Sequence, residues 1–298
     1  MLALLQQLLI LYAFILVGWF LGKKRPDLPS HTGILSYLIA NFFLPAKVFD
    51  TFSVHFTPAY LQNNQRMIFI SLGLVLLLHI LSRPLTCRLK GTHYEHQVYE
   101  YTFAISNFGF MGYALVESLY GAAGLTDQIL FTIPFLLYSY TIGYAKLTGS
   151  SNVLRRVLNP TTAAIVLGSI FGLLHIPVPE TLVQVVHLSS ACVGPLSMLL
   201  TGMTLSGFAF RDMWIDKQSY LIVAERLVVI PLFIFGLFHL CRLSDVLPAA
   251  ILVVAMPTGL NPIIFSEQAG ESPFLSARLA FLSHLFSVFT LPVWLMLI

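Results

Sequence analysis

The chain has 298 residues, of which 57% are hydrophobic and 10% charged, where soluble domains carry roughly 25% charge. That balance excludes a soluble enzyme. The formal net charge of +3 sits in short loops between apolar runs, so it gives no indication of nucleic-acid binding. Three cysteines, Cys87, Cys192 and Cys241, without metal-type spacing make neither a disulfide framework nor a zinc site.

Apolar runs of about 20 residues recur from end to end, the length that crosses roughly 30 Å of hydrocarbon. The first run is followed, not preceded, by basic residues, so it reads as a span and not as a cleaved signal peptide. In chain order the predicted spans are 2–22, 33–53, 66–83, 98–121 and 126–146, then 159–176, 180–206, 218–241, 247–269 and 274–298. Loops are short, so one compact all-α polytopic membrane domain is expected. Lys23, Lys24, Arg25, Arg83, Arg88, Lys90, Lys146, Arg155, Arg156, Arg211 and Lys217 follow odd-numbered spans, with Arg278 near the last. Only Arg66 and Arg242 follow even-numbered ones. By the positive-inside rule the odd loops are cytoplasmic and both termini face outward, across the plasma membrane.

A shift of 150 positions superposes the punctuation of the two halves. Gly18 falls on Gly168, Gly22 on Gly172, Pro45 on Pro195, Gly109 on Gly259 and Glu117 on Glu267. Each half, 1–146 and 159–298 with a linker at 147–158, holds five spans. An odd number makes the second half enter from the opposite side, so the expected fold is two inverted repeats. Spans four and nine form the matched pair of Gly/Pro-interrupted helices that marks a substrate site in such folds. Gly109 and Gly112 remove side chains where the chain is expected to unwind, and Pro257 and Pro262 remove backbone donors. Free backbone groups at membrane depth are tolerated only inside protein or around a wet cavity. Two half-helix N-termini aimed at one point suit a carboxylate.

The motifs N-F-F-L-P-A-K-V-F of span two, N-F-G-F-M-G-Y-A-L of span four and N-P-T-T-A-A-I-V-L-G of span six occur in that order. G-P-L-S-M-L-L-T-G-M, R-L-V-V-I-P and P-T-G-L-N-P-I-I-F follow in spans seven, eight and nine. Taken together they resemble the auxin efflux carrier family, which includes the plant PIN exporters and bacterial malate and malonate permeases, over the whole chain. The resemblance implies ten spans with crossing helices four and nine. It also implies a scaffold of spans one, two, six and seven that often forms a homodimer, a moving unit of spans three to five and eight to ten, and a substrate carboxylate near Asn107. One departure stands out: Tyr113-Ala114 follow Gly112 where the family usually has proline.

Asn107 is the first candidate ligand, with Ser106 beside it and Thr258 and Asn261 at the matching break. The alternative for each is that it merely satisfies freed backbone groups. Asn41 and Lys47 are six apart in span two, on roughly opposite faces, so only one is expected to look at the cavity. Lys47 either neutralises an anion, snorkels, or pairs with Asp50 three residues on. Arg226 is an intramembrane charge that either attracts the substrate anion or pairs structurally, its natural partners being Glu117, Glu267 or the carbonyls of a broken helix. Glu117 and Glu267 bind a coupling cation or proton, or cap helix ends. Tyr138, Tyr140 and Tyr144 either line the cavity or pack. His187 and His284 are lone histidines that read as core or interface. The Gly18/Gly22 and Gly168/Gly172 pairs permit close helix packing.

A secondary transporter of a small organic anion, working by alternating access among membrane lipid, fits these features. A sodium- or proton-coupled cation exchanger calls for an acid within 105–112 or 256–263, and neither segment contains one. An intramembrane protease calls for paired aspartates, a Ser–His arrangement or H-E-x-x-H, which the spans lack, and a sensor calls for a signalling domain. No nucleotide-binding loop is present, so direct drive by ATP is not expected, and no cofactor is expected. Substrate identity and ion coupling stay open.

Overall fold

The computed structural model describes residues 2–150 and 157–298; Arg155, Arg156 and half of the predicted linker lie outside the described residues. Among the described residues the regular elements are helices. Six are long and apolar enough to cross a membrane: α1 (Leu2–Lys24), α2 (Leu28–His55), α4 (Arg66–Thr86), α9 (Glu180–Ser206), α10 (Lys217–Leu240) and α13 (Phe274–Leu297). A short α3 (Pro58–Asn64) joins α2 to α4.

The other predicted spans are divided or short. Span four is α5 (His93–Ala104) followed, after a gap, by the start of α6 (Tyr113–Tyr138). Gly121, with φ 67° and ψ −168°, splits α6 into two helices, and only glycine adopts that backbone freely. The second of them runs through a π turn into α7 (Tyr144–Thr148) and accounts for span five. Span six is α8 (Pro160–Leu174), at 15 residues shorter than a full crossing. Span nine is α11 (Leu247–Val254) and α12 (Asn261–Gln268), of 8 residues each.

Local chemistry sets several boundaries. Thr92 and Glu95 close a reciprocal capping box at the start of α5. Asp216 accepts from the Gln218 and Ser219 amides at the start of α10. Pro45 and Pro231 lie inside long helices, and in both a π turn directly precedes the proline: Ile39–Phe43 and Glu225–Val229. The wider turn accommodates a residue that lacks an N–H.

Glycines set the closest helix contacts. α1 packs on the second half of α9, and α8 on the second half of α2. A Cβ on Gly202 would lie 2.0 Å from the Ile15 carbonyl oxygen, and one on Gly18 2.2 Å from that of Leu199. A Cβ on Gly172 would lie 2.5 Å from the Phe52 carbonyl oxygen. These are backbone neighbours and cannot move aside as a side chain can. Gly202→Ala is therefore expected to destabilise by about 1–3 kcal/mol. Gly73→Ala, in α4 with nothing within 4 Å of its Cβ, should be neutral or stabilising by about 0.5–1 kcal/mol. Thermal unfolding of the two variants in detergent checks the contrast.

Candidate functional site

Two interruptions meet inside the protein. α5 ends at Ala104, Ile105 turns to extended backbone (φ −117°, ψ 133°), and Asn107 is again non-helical (φ −81°, ψ 43°). α11 ends at Val254 and the chain resumes helix only at Asn261. The unwound stretches are joined by the Asn107 amide N–H, which donates to the Pro257 carbonyl at 2.7 Å.

The lost helical bonds can be traced one by one. In a continuous helix the Phe103 carbonyl would accept from the amide of Asn107, which is instead diverted to Pro257. The Val253 carbonyl would accept from residue 257, which is proline and has no N–H. Arg226 takes both orphans: Nη1 donates to Phe103 O at 3.0 Å and Nη2 to Val253 O at 3.2 Å. Ser106 Oγ adds a bond to Val253 O at 2.6 Å. Phe103 and Val253, like Asn107 and Pro257, stand 150 residues apart, the offset of the sequence repeat. A guanidinium between two helix C-termini also offsets the negative ends of both dipoles.

The second arms start at the same place. Asn107 O accepts from the amides of Met111 and Gly112, opening the π turn Phe108–Gly112 that leads into α6. Pro262 lies in the first turn of α12, where its missing N–H is no loss. First-turn amides have no intrahelical acceptor, and both starts, at Phe108–Phe110 and Gly259–Asn261, border one cavity of ≈ 40 Å³. Tyr101, Ser106, Asn107, Ser139 and Tyr140 add polar groups to its wall. The cavity adjoins a vestibule of ≈ 640 Å³, with which it shares Phe110, Tyr140, Leu260 and Asn261.

Several candidate residues fall here. Asn107 and Ser106 are buried in the cavity wall. The Asn261 amide nitrogen sits 3.4 Å from both Tyr101 Oη and Ser139 Oγ. Thr258 is fully buried: its amide donates to Ser283 Oγ, while its own Oγ1 has no partner and does not border the cavity. Asn41 and Glu267 belong to the vestibule wall, where the Asn41 amide donates to Tyr37 O. Of the two span-two residues, it is Asn41 that looks inward.

Three expectations need correcting, and a fourth is decided. Lys47 pairs neither with Asp50 nor with a cavity; it is buried against Glu117, and Asp50 meets His187 Nδ1 at 3.2 Å. Tyr138 turns away from the cavity to His79 Nδ1 at 2.8 Å, and Tyr140 takes the place at the wall. The break in span four does not rest on Gly109 and Gly112. It lies at 105–107, and a Cβ on Gly109 would meet nothing within 4 Å. Arg226 pairs with carbonyls, one of the partners open from the sequence, and with neither Glu117 nor Glu267. Ala114, where the family usually has proline, faces Gly194 of α9: a Cβ on that glycine would lie 3.0 Å from the Ala114 methyl.

His284 of α13 is buried with Nε2 3.4 Å from the Asn107 amide nitrogen. A lone histidine in an apolar span gives no sign of that contact, which spans 177 positions.

The family of membrane transport proteins matches the chain twice, over residues 3–152 and 145–295. YfdV of Escherichia coli K12, described as an uncharacterized transporter, is 24% identical over 311 aligned positions, covering 97% of this chain and 95% of YfdV. An uncharacterized transporter of Methanothermobacter thermautotrophicus is 28% identical over 200 residues, and the match spans 64% of each protein. With the family matching both halves of a helical, multi-pass membrane chain, the protein belongs to the membrane transport protein family of auxin efflux carrier-like transporters.

Proposed function

We propose that the protein is a secondary transporter that carries a small organic anion across the plasma membrane by alternating access, with the carboxylate held at the crossover beside Asn107. The observation that carries this reading is the meeting of two unwound segments through the Asn107–Pro257 bond, with the first-turn residues of two helices bordering one cavity that has polar side chains in its wall. Oriented N–H groups at helix starts favour an anion. Asn261 and Tyr140 carry the wall onward into the vestibule, giving a path on one side.

The topology that goes with it has ten spans. Six are the long helices. The other four are α5 with the start of α6, the rest of α6 with α7, α8, and α11 with α12. The two halves are inverted repeats, consistent with the 150-residue spacing of the paired groups. α1, α2, α8 and α9, locked by their glycine contacts, form the scaffold and the homodimer face; the remaining helices move. The vestibule borders Thr32 and Asn159, beside loops rich in Lys and Arg, so it opens to the cytoplasm and both termini face outward. A cation exchanger is the weaker reading, since no acid lies at the crossing itself.

Asn107→Ala tests the site. A hydrogen bond to a charged group is worth about 1.5–3 kcal/mol, so carboxylate affinity should fall by about 10–100-fold. The measurement is binding and uptake of labelled dicarboxylates and aromatic carboxylates by reconstituted protein. Unchanged affinity in a folded variant sinks the assignment.

A further inference from the structure

We infer that His284 is the proton-binding residue that couples carboxylate binding to uptake of one proton, acting as a positioning residue on the Asn107 amide. The inference rests on the crossover being an anion site.

The hydrogen-bond geometry fixes the resting arrangement. His284 Nδ1 lies 2.8 Å from the Ala280 carbonyl oxygen, which can only accept, so Nδ1 carries a hydrogen. In the neutral ring Nε2 is then bare and must accept. Its partner at 3.4 Å is the Asn107 amide nitrogen, a donor. The amide is thereby held with its nitrogen toward His284 and its Oδ1 toward Gly259, which borders the cavity. In this state the side chain offers the cavity an acceptor, which opposes a carboxylate.

A proton on Nε2 reverses the polarity. An Nε2–H cannot face an NH₂ group, so the amide turns over, Oδ1 accepts from Nε2–H, and the amide nitrogen is presented to the cavity as a donor. The imidazolium meanwhile offsets the charge of the bound anion. The only bond made is Nε2–H, formed on uptake and broken on release: one carboxylate and one proton enter from one side, and both leave to the other.

The surroundings explain why the two bind together. Arg226 approaches from α10 with its guanidinium on the Phe103 and Val253 carbonyls. Ser106, Asn107 and Thr258 come from the unwound segments. From α1, Tyr12 reaches Ser287, one turn past His284. Among the described residues no carboxylate hydrogen-bonds or pairs with His284. The countercharge for the imidazolium has to come from the substrate.

The test compares wild type with His284→Gln, which keeps an amide partner for Asn107 but takes no proton, and with His284→Leu. Labelled dicarboxylate binding is read from pH 8.5 to 6.5, where the ligand itself stays ionised. Reconstituted vesicles loaded with a pH-sensitive dye report proton movement. Linked binding of one proton predicts wild-type affinity that rises toward about tenfold for each pH unit lowered. His284→Gln, with wild-type melting temperature, should bind with a flat profile and move no protons; His284→Leu should bind more weakly at every pH. A flat wild-type profile, or the wild-type slope in His284→Gln, overturns the inference alone. Failure of the wild type to bind any carboxylate overturns the anion site and this inference with it.

Discussion

Arg226→Met should be the most damaging single substitution in the protein, with a stability loss of about 3–5 kcal/mol. The side chain is almost wholly buried and supplies donors to two carbonyls that nothing on the backbone can serve. Without it, Phe103 O is orphaned outright and Val253 O keeps only Ser106 Oγ. Each unsatisfied buried acceptor costs about 1–3 kcal/mol, and the lost cation at two helix C-termini adds about 0.3–1 kcal/mol for each helix. Arg226→Lys should be intermediate, because one ammonium on a flexible stem does not reproduce a planar fork spanning both carbonyls. Thermal unfolding followed by tryptophan fluorescence reads this well, since Trp294 donates its indole N–H to Leu227 O, next to Arg226. Arg226→Met melting within a degree or two of wild type would show that the two helix ends hold together without the clamp.

This clamp also marks how far a sequence can be read. Pro257 and Pro262 announce that span nine is interrupted, because proline acts on its own backbone, and the 150-residue spacing carries that expectation over to span four. Where span four breaks was not legible: Ala104, Ile105 and Ser106 are ordinary helix or strand formers. The break comes from the Asn107 amide being taken by Pro257, a partner in the other half of the chain. The GxxxG pairs were legible as contact faces for the same reason as the prolines, their effect being local and steric. Which side chains meet was not. Lys47 and Asp50 stand three apart and invite pairing, yet each finds a distant acid or histidine instead. Tyr138 and Tyr140 differ by two positions, about 200° around a helix, and only tertiary packing decides which one borders the cavity.

The Lys47–Glu117 pair gives the second large effect, and its burial asymmetry makes the outcome specific. The lysine side chain is 1% exposed and the glutamate 39%. Glu117→Ala strands a buried ammonium and should cost about 3–5 kcal/mol. Lys47→Met leaves a carboxylate that is only partly enclosed by protein, so the loss should be nearer 1–2 kcal/mol. Lys47→Met combined with Glu117→Ala should recover much of the single glutamate loss, because no unpaired charge stays inside. The pair also has a conformational side. It joins α2 to α6 across the contact between the proposed scaffold and moving unit, away from the vestibule. At the positions 150 residues on, Ser197 is neutral and Glu267 stands in the vestibule wall without an ion pair among the described residues. In the proposed alternating-access cycle this pair holds one face shut while its counterpart is open. Removing both charges should weaken that closed face and favour the opposite state, in which the vestibule narrows. With Cys87, Cys192 and Cys241 replaced by serine, alkylation of Asn41→Cys by a membrane-impermeant maleimide reports vestibule access. The rate should fall severalfold in the background lacking both charges, and an unchanged rate would make the pair a stabilising contact with no part in the cycle.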